Sequence, residues 1–248
     1  MLSLNNDFLG YHPLVHNVLF SGSDTKKLFE ENLKTKPDDW YYRTNQISYV
    51  RNNYGHRCKN IEEIDLDNYI LFAGCSHTEG IGLKLEDTYP YLLSKEMNCD
   101  YYNLSMGGIG VDVLSYNLVT WFAKIKKPPK LLIVQWPHNV RLTLQNFPYD
   151  NQINPEAFHA HGIWSDNNYK GIGELFVLGD QYNLFNTMST LTKKIIYNIA
   201  TCPVIEVKAL TDKNTDAQII LNQIDTARDP HMGVLSQKLN TEMLYKII

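Results

Sequence analysis

The chain has 248 residues, 44% hydrophobic and 20% charged, with a formal net charge of −4 and a pI near 6.1, enough for a full hydrophobic core and long for one compact domain. The acidic balance, with no Lys/Arg block beyond Lys124-Ile125-Lys126-Lys127, excludes a protein held to nucleic acid by phosphate contacts, and no window approaches the ~18 apolar residues of a membrane span. The four cysteines, Cys58, Cys75, Cys99 and Cys202, are scattered without a C-x-x-C pair, which predicts neither a zinc site nor a disulfide framework.

The start, M-L-S-L-N-N-D-F-L-G, lacks the basic and apolar segments of a secretory signal, so the expectation is a protein made for the cytosol. Residues 1–66 show no strand–helix alternation. A helix is predicted from Asp24 to Leu33 and a turn at Pro37 to Asp39. The run W-Y-Y-R-T-N-Q-I-S-Y-V-R at 40–51 alternates like a strand, so the segment is expected to be a small β-containing appendage. From residue 67 the pattern becomes β-α-β-α-β. The strands are predicted at Tyr69–Ala73, Tyr101–Leu104 and Leu131–Gln135, with helices at about 88–97 and 111–125, the first opened by Thr88 and Pro90 and the second stopped before Pro128-Pro129.

Such alternation predicts a three-layer α/β/α sandwich built on a mostly parallel sheet. A polar insertion spans about 137–173, then a helix from about 174 to 200, with a break signalled at Gly179-Asp180, and a strand at Val204–Ala209. Helices are expected at Asp216–Gln223 and Val234–Ile247, on either side of the loop A-R-D-P-H-M-G. The sixteen tyrosines, with pairs such as Tyr41-Tyr42 and Tyr101-Tyr102, are expected mainly in the core, a sugar-facing cluster being the alternative.

Within that frame the segment I-L-F-A-G-C-S-H-T-E-G at 70–80 carries the strongest functional signal: a buried strand ends in a small, polar turn bearing Ser76, where open α/β sheets collect their ligands. The competing reading is a capping box, in which Ser76 and Glu79 only satisfy backbone donors at a helix start. Three later segments shift the balance: N-L-S-M-G-G at 103–108, Q-W-P-H-N at 135–139 and R-D-P-H at 228–231. Acyl transfer by serine needs a hydroxyl, an imidazole base, a group to orient that imidazole, and donors for the oxyanion.

With these four blocks in that order, residues from about 68 to 248 resemble the SGNH, or GDSL-like, serine hydrolase family. The resemblance implies Ser76 as nucleophile and His231 as general base, with Asp229 the carboxylate that holds its ring. The oxyanion donors would be the Ser76 N–H, the Gly108 N–H and the Asn139 side-chain amide. Three departures stand out. Cys75 replaces the usual Asp before helix entry, W-P-H-N replaces G-x-N-D, and Asp229 lies two residues before His231 where the family commonly has D-x-x-H, with Arg228 in the expected place of the acid. The contraction is absorbed at Pro230, or another group such as Asp225 or a backbone carbonyl orients the ring. His77, Trp136 and His138 are expected to wall the pocket. Asp225, Asp112 and Glu79 otherwise read as caps or solvated charges, and His159 and His161 lack the carboxylate or cysteine partners of a metal site.

No metal or organic cofactor is implied. The expected reaction is removal of a small acyl group, such as acetyl, from a carbohydrate or similar small ester. A non-catalytic glycan-binding or structural module on a hydrolase scaffold, and acyl transfer to a sugar, are the alternatives. The expected partner is a small-molecule or glycan ester, with neither nucleic acid nor a membrane span involved. Oligomeric state and source stay open, a bacterial virus acting on a host-surface glycan being one source that the family's breadth allows.

Overall fold

The computed structural model describes residues 2–137, 141–145, 158–162, 179–209, 217 and 219–248, with the backbone alone at 142–145, 158–162 and 179–186. Strands β1 (Leu2–Asn5) and β2 (Phe8–Tyr11) form a hairpin whose two-residue loop, Asn6-Asp7, has both φ angles positive, at 47° and 75°. Asn and Asp tolerate that region, and the resulting twist suits a tight hairpin. Strand β3 (Asn17–Val18) pairs with β4 (Tyr49–Val50), and between them helix α1 (Lys26–Thr35) is capped by the Thr25 hydroxyl, which accepts from Leu28 N–H at 3.2 Å.

The strand expected over residues 40–51 shrinks to β4. Tyr41–Arg43 form a 3₁₀ turn, because Trp40 and Tyr42 pack into an aromatic cluster with Phe29. Arg43 meanwhile donates to Leu33 O at 2.8 Å and Lys36 O at 2.5 Å, satisfying carbonyls at the end of α1.

The remaining elements are β5 (Tyr69–Ala73), α2 (Ser76–Glu79), α3 (Tyr89–Glu96), β6 (Asp100–Asn103), α4 (Val111–Lys124), β7 (Leu131–Gln135), β8 (Arg141–Gln145), β9 (Phe158–Gly162), α5 (Gly179–Ile199), β10 (Val204–Ala209), β11 (Ile219–Leu221) and α6 (Val234–Ile247). Among the described residues, β11-β10-β7-β5-β6 form one five-stranded sheet, parallel throughout. The helix expected at 216–223 is therefore replaced at Ile219–Leu221 by strand β11, where two consecutive β-branched residues extend the sheet beside β10.

Taken in chain order the sheet runs 2-1-3-4-5, the flavodoxin-like arrangement. The chain steps one way from β5 to β6 and back across to β7, so right-handed crossovers put α3 and α4 on opposite faces. Helix α3 packs on α6, and α4 on α5. Every residue of β5 and β7 is buried, as expected for central parallel strands. This is an α/β/α sandwich, and its topological switch lies between β5 and β7, at the carboxyl end of which Ser76 stands.

The polar stretch after β7 carries strands β8 and β9, and β9 pairs with β1 at Leu2↔Phe158 to give a second, antiparallel sheet in the order β2-β1-β9-β8. Residues before 67 also share the main core: Leu2, Phe8, Leu9, Tyr11, Cys58, Ile61 and Ile64 cluster with the side chains of β5. The α4 side chain of Asn117 clasps β2 at both its polar groups, accepting from Leu9 N–H at 2.9 Å and donating to Leu9 O at 2.7 Å. Among the described residues no helix is long and apolar enough to cross a membrane.

Candidate active site

Ser76 is the first residue of α2, one position past the end of the turn that follows β5. The turn is tight because Gly74 lies against Thr78: a Cβ at 74 would sit 2.5 Å from Thr78 Oγ1. Thr78 is in turn fixed by a 2.7 Å bond to Gln135 Oε1 at the end of β7 and, through its carbonyl, by the Asn103 amide of β6 at 3.1 Å. Three neighbouring strand ends thereby brace the helix that presents Ser76.

His231 reaches Ser76 from a loop joining β11 to α6. Its Nε2 lies 2.7 Å from Ser76 Oγ and its Nδ1 2.7 Å from Asp229 Oδ2. One tautomer satisfies both contacts, with Ser76 O–H donating to Nε2 and Nδ1–H donating to the carboxylate. The imidazole is 17% exposed and the Asp229 side chain fully buried. Burial by itself would raise the Asp229 carboxyl, but hydrogen bonds from the His231 ring, from the Ser23 hydroxyl and from the His231 N–H outweigh it and hold the group below the usual carboxylate range.

The shortened spacing between Asp229 and His231 is taken up by a closed turn, in which Ala227 N–H donates to His231 O at 2.8 Å and His231 N–H to Asp229 Oδ1 at 3.2 Å. That turn rests on Gly82, whose carbonyl accepts from Arg228 N–H at 3.1 Å. A side chain at 82 would collide with Asp229 and Ala227, and its φ of +77° suits glycine. Asp225, the alternative orienting group, faces the other way. Its carboxylate accepts from Leu235 N–H at 3.0 Å and Ser236 N–H at 2.8 Å and so caps α6.

Gly108 sits in the loop between β6 and α4 with φ +80°, and a Cβ built there meets nothing within 4 Å. The backbone conformation, not crowding by protein, calls for glycine at this position. Its loop is tethered by Gly107 N–H, which donates to Glu79 Oε2 at 2.6 Å and lies 3.0 Å from the Tyr11 hydroxyl. Glu79 thus departs from both sequence expectations. It neither completes a capping box with Ser76 nor sits in solvent. It is buried, ion-paired with Arg51 at 3.0 Å, and receives the Tyr11 hydroxyl at 2.9 Å.

His77 stacks edge-on against His231, ring centroids 4.7 Å apart, with its Nδ1 buried and without a partner. Burial first, and the neighbouring His231 second, push it down to about 3, so it stands as a neutral wall. Trp136 is buried beyond β7 and donates to the Tyr197 hydroxyl at 2.9 Å, which makes it a packing residue under the strand end. His138 and Asn139 lie outside the described residues, as do the side chains of His159 and His161 on β9. Of the tyrosine pairs, Tyr42, Tyr101 and Tyr102 are core residues.

Two groups had no signal in the residue pattern: Ser23, whose hydroxyl donates to Asp229 Oδ2 at 2.6 Å, and the Arg228–Asp24 pair, whose guanidinium donates at 2.7 and 2.6 Å. Both join positions more than 200 residues apart.

No family model and no curated protein matches the chain. Among solved structures, a carbohydrate esterase whose active site displays divergent catalytic and non-catalytic binding functions aligns over 73% of this chain and 64% of its own, at 12% identity and a TM-score of 0.46. A family 2 carbohydrate esterase with a carbohydrate-binding domain from Corynascus thermopiles (Myceliophthora fergusii) aligns over 73% and 65%, at 14% identity and 0.42. A putative G-D-S-L lipolytic protein of Desulfitobacterium hafniense aligns over 73% and 99%, at 13% identity and 0.39. The chain spans just under two thirds of the length of the first two. The class of protein rests on its own strand order: an α/β/α sandwich with a Ser–His–Asp hydrogen-bonded chain at the carboxyl end of its sheet.

Proposed function

We propose that this protein is a serine ester hydrolase that removes a small acyl group, such as acetyl, from a carbohydrate. The observation that carries the reading is the continuous chain from Ser76 Oγ through His231 to Asp229, with both contacts at 2.7 Å. In this mechanism Ser76 Oγ attacks the ester carbonyl carbon while its proton passes to His231 Nε2, and Asp229 stabilises the imidazolium without taking the proton itself. The oxyanion is met by the N–H of Ser76 and of Gly108, and by the Asn139 amide carried over from the family pattern. Collapse expels the alcohol with the proton returned from His231. Water, deprotonated by the same ring, then releases the acid and restores Ser76.

A sugar ester as substrate is supported by the polar, aromatic composition of the sequence that follows β7, which is poorly suited to a lipid chain. The test is hydrolysis of an aryl acetate, of acetylated oligosaccharides and of long-chain aryl esters. Wild type is expected to favour acetyl esters, and Ser76→Ala to lower the rate by roughly 10⁴-fold or more. Equal rates for the two proteins would refute catalysis. Preference for long chains would refute the carbohydrate reading, and acyl-sugar products formed in the presence of a sugar acceptor would assign the acyl group to transfer.

A further inference from the structure

We propose that Ser23, from the segment preceding the sandwich, is a positioning residue that aligns Asp229 and through it the ring of His231. The inference rests on the hydrolase reading above and extends the working site to a part of the chain outside the four family blocks.

Ser23 Oγ lies 2.6 Å from Asp229 Oδ2 and 3.5 Å from His231 Nδ1. Oδ2 therefore takes two donors, the Ser23 hydroxyl and the ring Nδ1–H, while Oδ1 takes the His231 N–H at 3.2 Å. Held on both oxygens, the carboxylate has one orientation, and so has the ring it supports. Without Ser23, the closed turn from 227 to 231 alone would have to set that orientation.

The turn that delivers Ser23 is itself built for the task. Ser21 and Asp24 exchange backbone hydrogen bonds at 3.1 and 3.2 Å, and Gly22 between them has φ +61°. Asp24 is buried. It is gripped by the Arg228 guanidinium through Nε at 2.7 Å and Nη2 at 2.6 Å, and receives the Tyr49 hydroxyl at 2.5 Å. Arg228 occupies the chain position where the family commonly carries its acid. Here it serves as the clamp, tying the Ser23 turn to the residue next to Asp229. The bidentate geometry fixes direction as well as distance.

Ser23 sits at the exposed tip of this turn, so its truncation opens no core cavity. Misplacement of a catalytic group by ~1 Å costs on the order of 10²-fold in rate, and a loosened support is expected to cost about 10-fold. The experiment compares wild type, Ser23→Ala and Ser23→Thr by aryl acetate kinetics, thermal melting and the low-field proton resonance of the His231–Asp229 hydrogen bond. Ser23→Ala is expected to lower kcat about 10-fold with KM and Tm nearly unchanged and to move the low-field resonance. Ser23→Thr restores both. Wild-type kcat and resonance in Ser23→Ala, or joint loss of kcat and Tm that threonine does not rescue, would overturn the proposal. Should wild type neither turn over esters nor react with a fluorophosphonate, the hydrolase reading falls, and the resonance in Ser23→Ala still decides whether Ser23 aligns the pair.

Discussion

Ser76 and His231 are 155 positions apart and share a 2.7 Å contact. Both stand in short blocks that the sequence displays: Ser76 in a small-residue turn after a buried strand, and His231 in a polar loop before the last helix. Asp229 belongs to the same loop as His231 and meets its Nδ1 at 2.7 Å despite the shortened spacing. On the proposed mechanism Asp229→Asn, which keeps the shape but removes the charge and favours the wrong ring tautomer, lowers kcat by roughly 10⁴-fold, with some loss of stability because the hydrogen bonds that hold the carboxyl below its usual range are made to its charged form. Steady-state hydrolysis of an aryl acetate beside thermal melting checks this. A drop of less than tenfold would mean that the carboxylate does not orient the base. Ser23 could not be read this way, since a serine in a polar turn has no local pattern that distinguishes a donor to Asp229 from one facing water.

At the scale of elements, α2 is a four-residue helix whose last residue, Glu79, joins three parts of the chain: Arg51 from β4's end, Tyr11 from β2, and Gly107 from the loop that bears Gly108. Arg51 also stacks over the Tyr11 ring at 3.8 Å and donates to Val15 O at 2.7 Å. Taking one charge from a buried pair strands the other, at a cost of about 3–5 kcal/mol. Glu79→Gln is therefore expected to lower stability by about 3 kcal/mol in urea unfolding and, on the proposed function, to slow ester hydrolysis because the Gly107 N–H loses its charged acceptor. An unchanged unfolding midpoint would show that Glu79 and Arg51 are not paired in the folded protein. The sequence reading of Glu79 as a cap failed because the Ser-x-x-Glu spacing is local, whereas its partners come from β2 and from the end of β4.

Across the whole molecule, residues before 67 are tied to the sandwich by buried polar contacts. His56 is enclosed, with its ring nitrogens 2.9 Å from the Tyr102 hydroxyl and 3.2 Å from Leu9 O. Burial pushes it down to about 4. A base whose folded value is lowered is protonated first in the unfolded chain. Its contribution to stability is complete above about pH 6.5 and is lost as pH falls toward 4, at roughly 1.4 kcal/mol per unit. His77 acts in the same direction. Urea unfolding at pH 7 and pH 5 is expected to show a loss of about 2 kcal/mol from His56 alone, and His56→Gln should flatten that part of the profile. Stability independent of pH over this interval would mean that His56 is hydrated.

Four of the five strands of the central sandwich are legible in the sequence alone. Strands Tyr69–Ala73, Leu131–Gln135 and Val204–Ala209 and helix Val234–Ile247 coincide with their predicted spans: short apolar runs bounded by turn residues mark the strands, and a stretch without Pro or Gly after Gly233 marks the helix. Tertiary structure decided the rest: that Ile219–Leu221 extends the sheet, that β1 joins β9 across the insertion, and that a turn at Ser21–Asp24 meets Asp229. Each depends on which surfaces and hydrogen-bonding groups meet over more than a hundred residues or at a sheet edge, and such pairings leave no period in the chain.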